Sequence, residues 1–293
     1  MEVISNRSEF VVLFDVENGN PNGDPDAGNM PRVDAETGYG LVTDVCTKRK
    51  IRNYVQLIKN DEQGLGIFIK EVLNETLESA CVKLGLPKIV KKSSKPKALI
   101  EKEAQNIKLA QQYMCKNYYD VRTFGAVMST GDYSCGVVRG PVQINFAKSV
   151  DPIEPQEITI TRMAITKSGE DKETEMGKKN FVPYGLYRQE GYISARLAQD
   201  ITGFDEADRD LLFEAIENMF EHDHSAARGK MTVRRVIEFR HEAALGNAPS
   251  HKLFELVKVK RLCGDMPARG FEDYEVSIDE EHLPEGVEIK EYV

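Results

Sequence analysis

The order of strand-like and helical segments along the chain predicts an α+β protein. Three observations support this prediction: a β-branched and aromatic run at residues 9–16, helical patterns concentrated in residues 43–116, and a series of strand-like runs after residue 121. With 293 residues and 41% apolar content, the chain is long enough to bury a core as one large domain with inserted lobes.

The elements are predicted in order from hydrophobic periodicity and capping residues. Residues 9–16, EFVVLFDV, predict a central strand that ends in a long Gly/Asn/Pro loop at 17–40. A helix follows over 43–59, with Thr43 or Asp44 as its N-cap. The order is compatible with a ferredoxin-like or RRM-like core that carries insertions. Further helices are predicted over 67–84, 100–116 and 206–221 (capped by Asp205), and strands over 121–128, 136–146, 157–166, 182–193, 233–239 and 253–262.

Composition excludes several classes of protein. No run is apolar enough to span a membrane, and the N-terminal residues lack the pattern of a signal peptide, so we expect a cytoplasmic protein with no membrane partner. The cysteines are odd in number, scattered and never spaced as CxxC, which argues against a disulfide framework and a thiolate zinc site. We expect no cofactor, no metal and five reduced cysteines: Cys46, Cys81, Cys115, Cys135 and Cys263.

Net charge bears on whether nucleic acid is a partner. The chain carries −9 at pH 7, which would oppose attraction to phosphate if the charge were evenly spread. Residues 271–293 alone hold nine acidic side chains against one lysine, whereas basic residues cluster at 47–53, 90–97 and 228–235. A local basic groove is therefore compatible with the composition, with the acidic tail solvating the surface or meeting a neighbour's basic face.

The helix predicted over 43–59 has an apolar face beside a basic stripe. Charged stripes often serve solubility alone, but this one contains no acidic residue, which favours a phosphate-binding role. Arg49 and Arg52 fit bidentate phosphate contacts, and Lys48 adds a point charge. The apolar face is Ile51, Tyr54, Val55 and Ile58; the stripe is Lys48, Arg49, Arg52, Gln56 and Lys59.

The preceding loop, NGNPNGDPDAGN at 18–29, combines glycine and proline with short amides and carboxylates, a composition typical of tight turns. Asp24 and Asp26 leave calcium binding open, although the EF-hand spacing and its terminal glutamate are missing. We interpret the aspartates as turn-forming residues. Loops of this kind present amides to phosphates, sugars or base edges, and the candidates are Asn18, Asn20, Asn22 and Asn29.

Two N-terminal segments are the most specific motifs of the chain: DVENGNPNGDPDAGNMPRVD at 15–34 and TDVCTKRKIRNYV at 43–55. Later motifs are DVRTFGAV at 120–127, RGPVQ at 139–143, YGLY at 184–187 and FEHDHSAARG at 220–229. In these motifs the sequence resembles the backbone subunit of type I-C CRISPR surveillance complexes (Cascade), in the RAMP superfamily. The resemblance covers essentially the full chain.

The resemblance implies a hand-shaped single domain over 1–293, with an RRM/ferredoxin-like palm, a helical finger insertion at 60–119 and a β-hairpin thumb at 157–185. The polar segment 167–180 would be the tip of that thumb, and we assign no function to the acidic tail at 271–293. Copies would stack head to tail on crRNA, alongside other Cascade subunits. Each thumb would fold over the guide held by the next copy, displacing one nucleotide and leaving the others to pair with target DNA.

The same resemblance implies RNA contacts without catalysis. Met163 or Phe181 would wedge beside the displaced base. The expected RNA-binding residues are Asn18, Asn20, Asn22, Asn29, Arg32, Lys48, Arg49, Arg52, Phe124, Gln143, Met163, Phe181 and Arg188.

Three other functions remain as alternatives. A RAMP endoribonuclease would act on crRNA precursor or on bound target RNA, through an aspartate such as Asp34 or Asp26. A ligand-binding or structural protein would leave the long loop unexplained. A metal or acid–base site would use the cluster at the end of the predicted helix, but no third ligand at suitable spacing is evident; its residues would be Glu221, His222, Asp223 and His224, with His241 and Glu242 further on.

Overall fold

We describe the protein from a computed structural model. It describes residues 2–60, 62–70, 73–88, 96–129, 132–162 and 175–293. These form fourteen strands: β1 (Ser8–Gly19), β2 (Gly23–Asp24), β3 (Met30–Pro31), β4 (Tyr39–Val42), β5 (Gly125–Met128), β6 (Gly136–Arg139), β7 (Val142–Ile144), β8 (Ala147–Pro152), β9 (Gln156–Arg162), β10 (Glu175–Ile193), β11 (Lys230–His241), β12 (Val257–Arg261), β13 (Tyr274–Ile278) and β14 (Val287–Glu291).

The helices of the described residues lie mainly between β4 and β5 and between β10 and β11. A π-helical turn at Ala198–Thr202 continues α5, and 3₁₀ turns occur at Pro25–Ala27, Phe271–Asp273 and Glu280–His282. None of the described helices is both long and apolar enough to cross a bilayer. The helices are α1 (Asp44–Ile58), α2 (Leu73–Lys83), α3 (Lys97–Asn117), α4 (Tyr119–Phe124), α5 (Ala195–Leu197), α6 (Glu206–Asn218) and α7 (Ser250–Phe254).

A central antiparallel sheet, in the order β14-β11-β1-β10-β8-β4, organises the chain, and β7 and β9 also pair with β10. The predicted α+β class is confirmed. Strand β1 is buried on both faces over most of its length because other elements cover both sides of the sheet. It pairs with β10 from Ser8 opposite Ile193 to Gly19 opposite Val182.

Two hydrophobic layers sandwich the sheet. Phe10, Phe14 and Tyr187 face one side and pack with residues of α1 and α6. Leu13 and Leu186 face the other side and pack with α7, β12 and β13. A third apolar cluster lies within the helical segment, where side chains of α2 and α3 pack with β5 and β6.

The acidic segment 271–293, for which the sequence left open a tail that solvates the surface or one that meets a neighbour's basic face, forms ordered strands and turns of the domain. Strand β13 pairs with β12, and β14 pairs with β11 at the edge of the central sheet. Alternation explains this: Tyr274 and Val287 are buried, whereas the acids between the inward-facing residues point outward. Three of the nine acidic residues, Glu275, Glu288 and Glu291, are exposed on these strands, and the other six lie in the turns and loops beside the strands.

Several predicted boundaries are wrong. The strand predicted over 121–128 begins as helix α4, because Asp120 and Arg122 make tertiary contacts that outweigh the β-propensity of their neighbours. Gly125, at φ +78°, then turns the chain into β5. The strand predicted over 253–262 starts later, after α7, and the helix predicted from residue 67 starts at Leu73.

Candidate nucleic-acid interface

The loop after β1 forms a compact ribbon. Strands β2 and β3 pair, and the Asp24 side chain caps the short 3₁₀ turn between them by accepting from Asp26 N at 3.1 Å. Gly28 and Asn29 then adopt left-handed backbone, at φ +61° and +63°. Asn18 also has positive φ, at +50°. Glycine and asparagine populate this region readily, so the composition explains the turns.

Side-chain amides tie this ribbon to two other elements. Asn22 Oδ1 accepts from both the backbone N and the Oγ1 of Thr43, each at 3.0 Å, which attaches the loop to the N-cap of α1. Asn20 Nδ2 donates to Asn29 O at 2.7 Å, and Asn180 Nδ2 donates to Gly28 O at 3.0 Å. The base of the β9–β10 hairpin, the loop and α1 therefore form one continuous surface, which we call the loop surface.

Three buried polar atoms at the loop surface have no hydrogen-bond partner among the described residues: Asn20 Oδ1, Asn180 Oδ1 and Arg32 Nε. Both asparagine nitrogens donate to carbonyls, so their oxygens are left as acceptors. A buried unsatisfied group costs about 1–3 kcal/mol. A ligand with both donors and acceptors, such as a ribose-phosphate chain, would relieve that cost once the loop adjusts to it.

In the structure, the predicted basic stripe of α1 contains an exposed arginine and cations that form ion pairs within the protein. Arg49 is exposed and donates to Ile69 O at 3.0 Å. Lys48 forms an ion pair with Asp44 at 2.8 Å, so the stripe is not free of acid as the sequence suggested. Arg52 is 7% exposed and its Nε donates to Asp120 at 2.8 Å. Arg52 therefore points into the protein and away from solvent.

A second basic cluster at the loop surface was not among the predicted site residues. Lys50 is buried and pairs with Asp223, which Arg228 also contacts at 3.0 Å. Burial lowers the pKa of the Lys50 ammonium, although the hydrogen bond to Asp223 opposes this effect. Asn20 N donates to Ala227 O at 2.9 Å, which fixes the Arg228 segment against the loop. The basic segment at 228–235 was the sequence signal for this cluster.

The other predicted RNA-binding residues are dispersed. Phe124 is buried, with the Arg52 guanidinium 5.2 Å from its ring centroid. Gln143 lies opposite Tyr192, ten residues along β10 from the loop end and thus about 33 Å away. Arg188 donates to the carbonyls of Phe254 and Val257, on the sheet face opposite α1.

Of the two predicted wedge residues, the structure describes Phe181. Phe181 is half-buried at the base of the β9–β10 hairpin, opposite Gln156. It lies next to Asn180 and therefore at the loop surface. Met163 lies outside the described residues.

The alternative catalytic residues do not gather into one site. Asp223 is paired with Lys50 and Arg228, whereas His241 is buried elsewhere with its Nε2 2.7 Å from Glu9. Asp34 closes a turn, and hydrogen bonds from Thr37 Oγ1 and Glu36 N lower the pKa of its carboxyl. Within the described ranges, no three His, Cys, Asp or Glu side chains are grouped to hold a metal ion.

Comparison with known proteins places this geometry in a family. The model of the family CRISPR-associated protein Cas7 matches residues 6–279. The chain belongs to the Cas7 family. The Cas7 protein of Haloferax volcanii is 41% identical over 66 residues, which are 22% of this chain and 18% of that protein. The aligned segment thus spans less than a fifth of that curated relative.

A solved structure shares the fold of this Cas7 protein. A chain described as "CRISPR RNA-guided surveillance complex, pre-nicking" superposes with a TM-score of 0.50 at 14% identity, over 80% of this chain and 78% of that one. A second, described as "CRISPR RNA-guided surveillance complex", has a TM-score of 0.44 at 14% identity, over 80% of this chain and 68% of that one.

Proposed function

We propose that this Cas7 protein is a non-catalytic, cytoplasmic crRNA-binding backbone subunit of a type I-C surveillance complex. Its copies assemble head to tail along the guide, together with other Cascade subunits, and present the guide for pairing with target DNA. The sheet with α1 and α6 is the palm, the α2–α3 segment the fingers, and the β9–β10 hairpin the thumb. The observation that carries the proposal is the loop surface, where three elements meet around buried polar atoms without partners.

The loop surface suits recognition of a nucleic-acid backbone. Exposed Arg49 supplies positive charge beside loops of left-handed and turn backbone, and half-buried Arg228 and exposed Lys230 add cations that are paired with Asp223 and Glu17. The Arg32 guanidinium pairs with Asp24 at 3.3 Å through one terminal nitrogen, and its Nε remains a donor that an acceptor such as a phosphate oxygen would satisfy. The unpartnered amide oxygens are acceptors, which a phosphate cannot satisfy but a ribose 2′-hydroxyl can. Sequence reading is then left to base pairing.

Guide binding is tested with Arg49→Ala and Arg228→Ala, measured against guides of unrelated sequence. Each lost phosphate contact should weaken all guides alike and reduce the slope of log affinity against log salt by about 0.7. The matched control is Arg196→Ala, an exposed arginine paired with Asp200 just beyond the Ile193 end of β10, about 36 Å from the loop along that strand. Loss limited to one guide sequence, or equal loss in the control, would contradict the proposal.

The ribonuclease alternative requires a separate measurement. Labelled guide and complementary RNA, incubated with the protein and Mg²⁺, should be protected without new fragments. Cuts at regular spacing that disappear in Asp34→Ala would establish catalysis.

Deleting residues 168–179 should leave the fold intact but abolish regular multimers on long guides, as seen by electron microscopy. Regular multimers from the deletion variant would refute the thumb assignment.

A further inference from the structure

A groove of about 490 Å³ opens on the face of the sheet opposite α1. It lies where the outward side of β8 meets the end of the second hydrophobic layer, at Val259 of β12. Residues 146, 148 and 150 alternate with the buried Ala147 and Ser149, so their side chains share the outward side of the strand.

An aromatic ring and a cation stand side by side in this groove. Phe146 is 56% exposed, an unusual placement for a phenyl ring. Lys148 lies two residues further along, about 7 Å in extended backbone. Its ammonium sits 4.3 Å from the ring centroid of Tyr39 and forms no ion pair with a carboxylate of the described chain. An exposed ring therefore lies two residues along the strand from an ammonium that contacts the Tyr39 ring but has no carboxylate ion pair among the described residues.

The other charged side chains of the groove, Arg188 and Glu190, are already paired with each other. Arg188 donates to Glu190 and to the carbonyls of Phe254 and Val257, so neither its charge nor its hydrogen atoms are available. The ligand must then engage Phe146 through stacking and Lys148 through charge. A nucleobase with its own phosphate meets both requirements, because bases stack on aromatic rings and phosphates pair with ammonium groups.

We propose that this groove binds single-stranded nucleic acid, with one base on Phe146 and the adjacent phosphate on Lys148, at a site separate from the loop surface. Stacking makes no demand on base identity, so RNA and DNA strands of any sequence are accepted. The groove thereby gives each copy a second contact with single-stranded nucleic acid.

The test uses the full chain with 12-nucleotide oligo(U) and oligo(dT) carrying 5-iodouracil, cross-linked by light and mapped by mass spectrometry. Cross-links are expected in the peptide that contains residues 145–150, with both strands. Phe146→Ala should weaken the binding that produces these cross-links about five-fold or more, the effect of losing one base–ring stack. Phe146→Tyr should retain it, and Lys148→Gln should reduce its salt dependence by about one contact.

Controls separate this site from the loop surface. Leu245→Ala removes a more exposed apolar side chain elsewhere, 75% exposed against 56% for Phe146, and should leave the groove cross-links unchanged. Arg49→Ala should reduce cross-links at the loop and spare those at 145–150, so either proposal can fail alone. The groove assignment is overturned if Phe146→Ala cross-links as well as the parent protein. It is also overturned if an uncharged proline-rich peptide, and no oligonucleotide, binds there in a Phe146-dependent way.

Discussion

The Arg52 side chain offers the sharpest test of how α1 divides its cations between folding and binding. Its guanidinium is held by the Asp120 carboxylate and lies 5.2 Å from the ring centroid of Phe124. Removing one partner of a buried ion pair costs about 3–5 kcal/mol, because the other charge is left without compensation. Asp120 retains hydrogen bonds from Phe68 N and Ile69 N, so we expect the lower end of that range for Arg52→Ala.

A loss of about 3 kcal/mol should lower the melting temperature by about 6 °C or more. The assay is urea unfolding followed by circular dichroism, with Arg49→Ala as the matched control. Arg49 is exposed, so its removal should change the free energy of unfolding by about 0.5 kcal/mol or less and yet weaken guide binding. A double-mutant cycle with Asp120→Asn should show coupling between the two side chains.

The opposite pattern would refute this reasoning. If Arg52→Ala unfolds within about 1 kcal/mol of the parent protein but loses guide affinity as Arg49→Ala does, then Arg52 binds the guide and its burial is not structural. Folded Arg52→Ala that binds guides like the parent protein would instead confirm that the ion pair serves the fold.

Three further predictions concern the fold around the site. Gly19→Ala should destabilise the protein more than Gly28→Ala in urea unfolding. A Cβ at Gly19 would lie 1.8 Å from a backbone carbonyl oxygen of the loop after α6. At Gly28 nothing lies within 4 Å of the added Cβ, so only the left-handed backbone opposes the change, by about 1–2 kcal/mol. Burial raises the pKa of the Glu9 carboxyl, but hydrogen bonds from neighbouring side chains outweigh it and leave the pKa below 4.5. The resulting stability is present above pH 4.5 and is lost on acidification, so Glu9→Gln should show a shallower acid decline in melting temperature. Burial raises the pKa of Cys115 to about 11 and of Cys135 to about 12, so mass spectrometry should find both thiols unreactive towards iodoacetamide at pH 8 until urea is added.

Local signals explain which elements were predictable from sequence. Strand β1 and helix α1 follow from hydrophobic periodicity within a dozen residues, and Thr43 caps α1 by accepting from Cys46 N. Helix α4 was missed because Val121 and Thr123 favour strands, whereas the deciding contact of Arg122 is with Asp208, 86 residues away.

The candidate site shows the same limit. The turns at 18–29 follow from their own composition, so the loop was predictable as a surface feature. Its attachment was not, since Asn180 lies 152 residues from Gly28 in sequence. The prediction that Arg52 is exposed for phosphate binding was wrong for a related reason. Helical periodicity places Arg52 on one face of α1, but the packing of Asp120, 68 residues further along the chain, decides that this face is buried there.

The acidic balance of the chain leads to a final prediction, because the folded position of β14 separates its charge from the loop surface. Glu291 lies opposite Ile237, which pairs with Val11, eight residues or about 26 Å along β1 from Gly19. Salt at 0.15 M gives a screening length of about 8 Å, so the acids of β14 lie roughly three screening lengths from the loop surface and their effect there is largely screened. Replacing exposed Glu285 and Glu288 with glutamine should therefore change guide affinity by less than about two-fold at that salt, although it removes two of the nine net negative charges. A rise of several-fold, equal in size to the loss in Arg49→Ala, would show instead that the field of the whole chain governs guide binding.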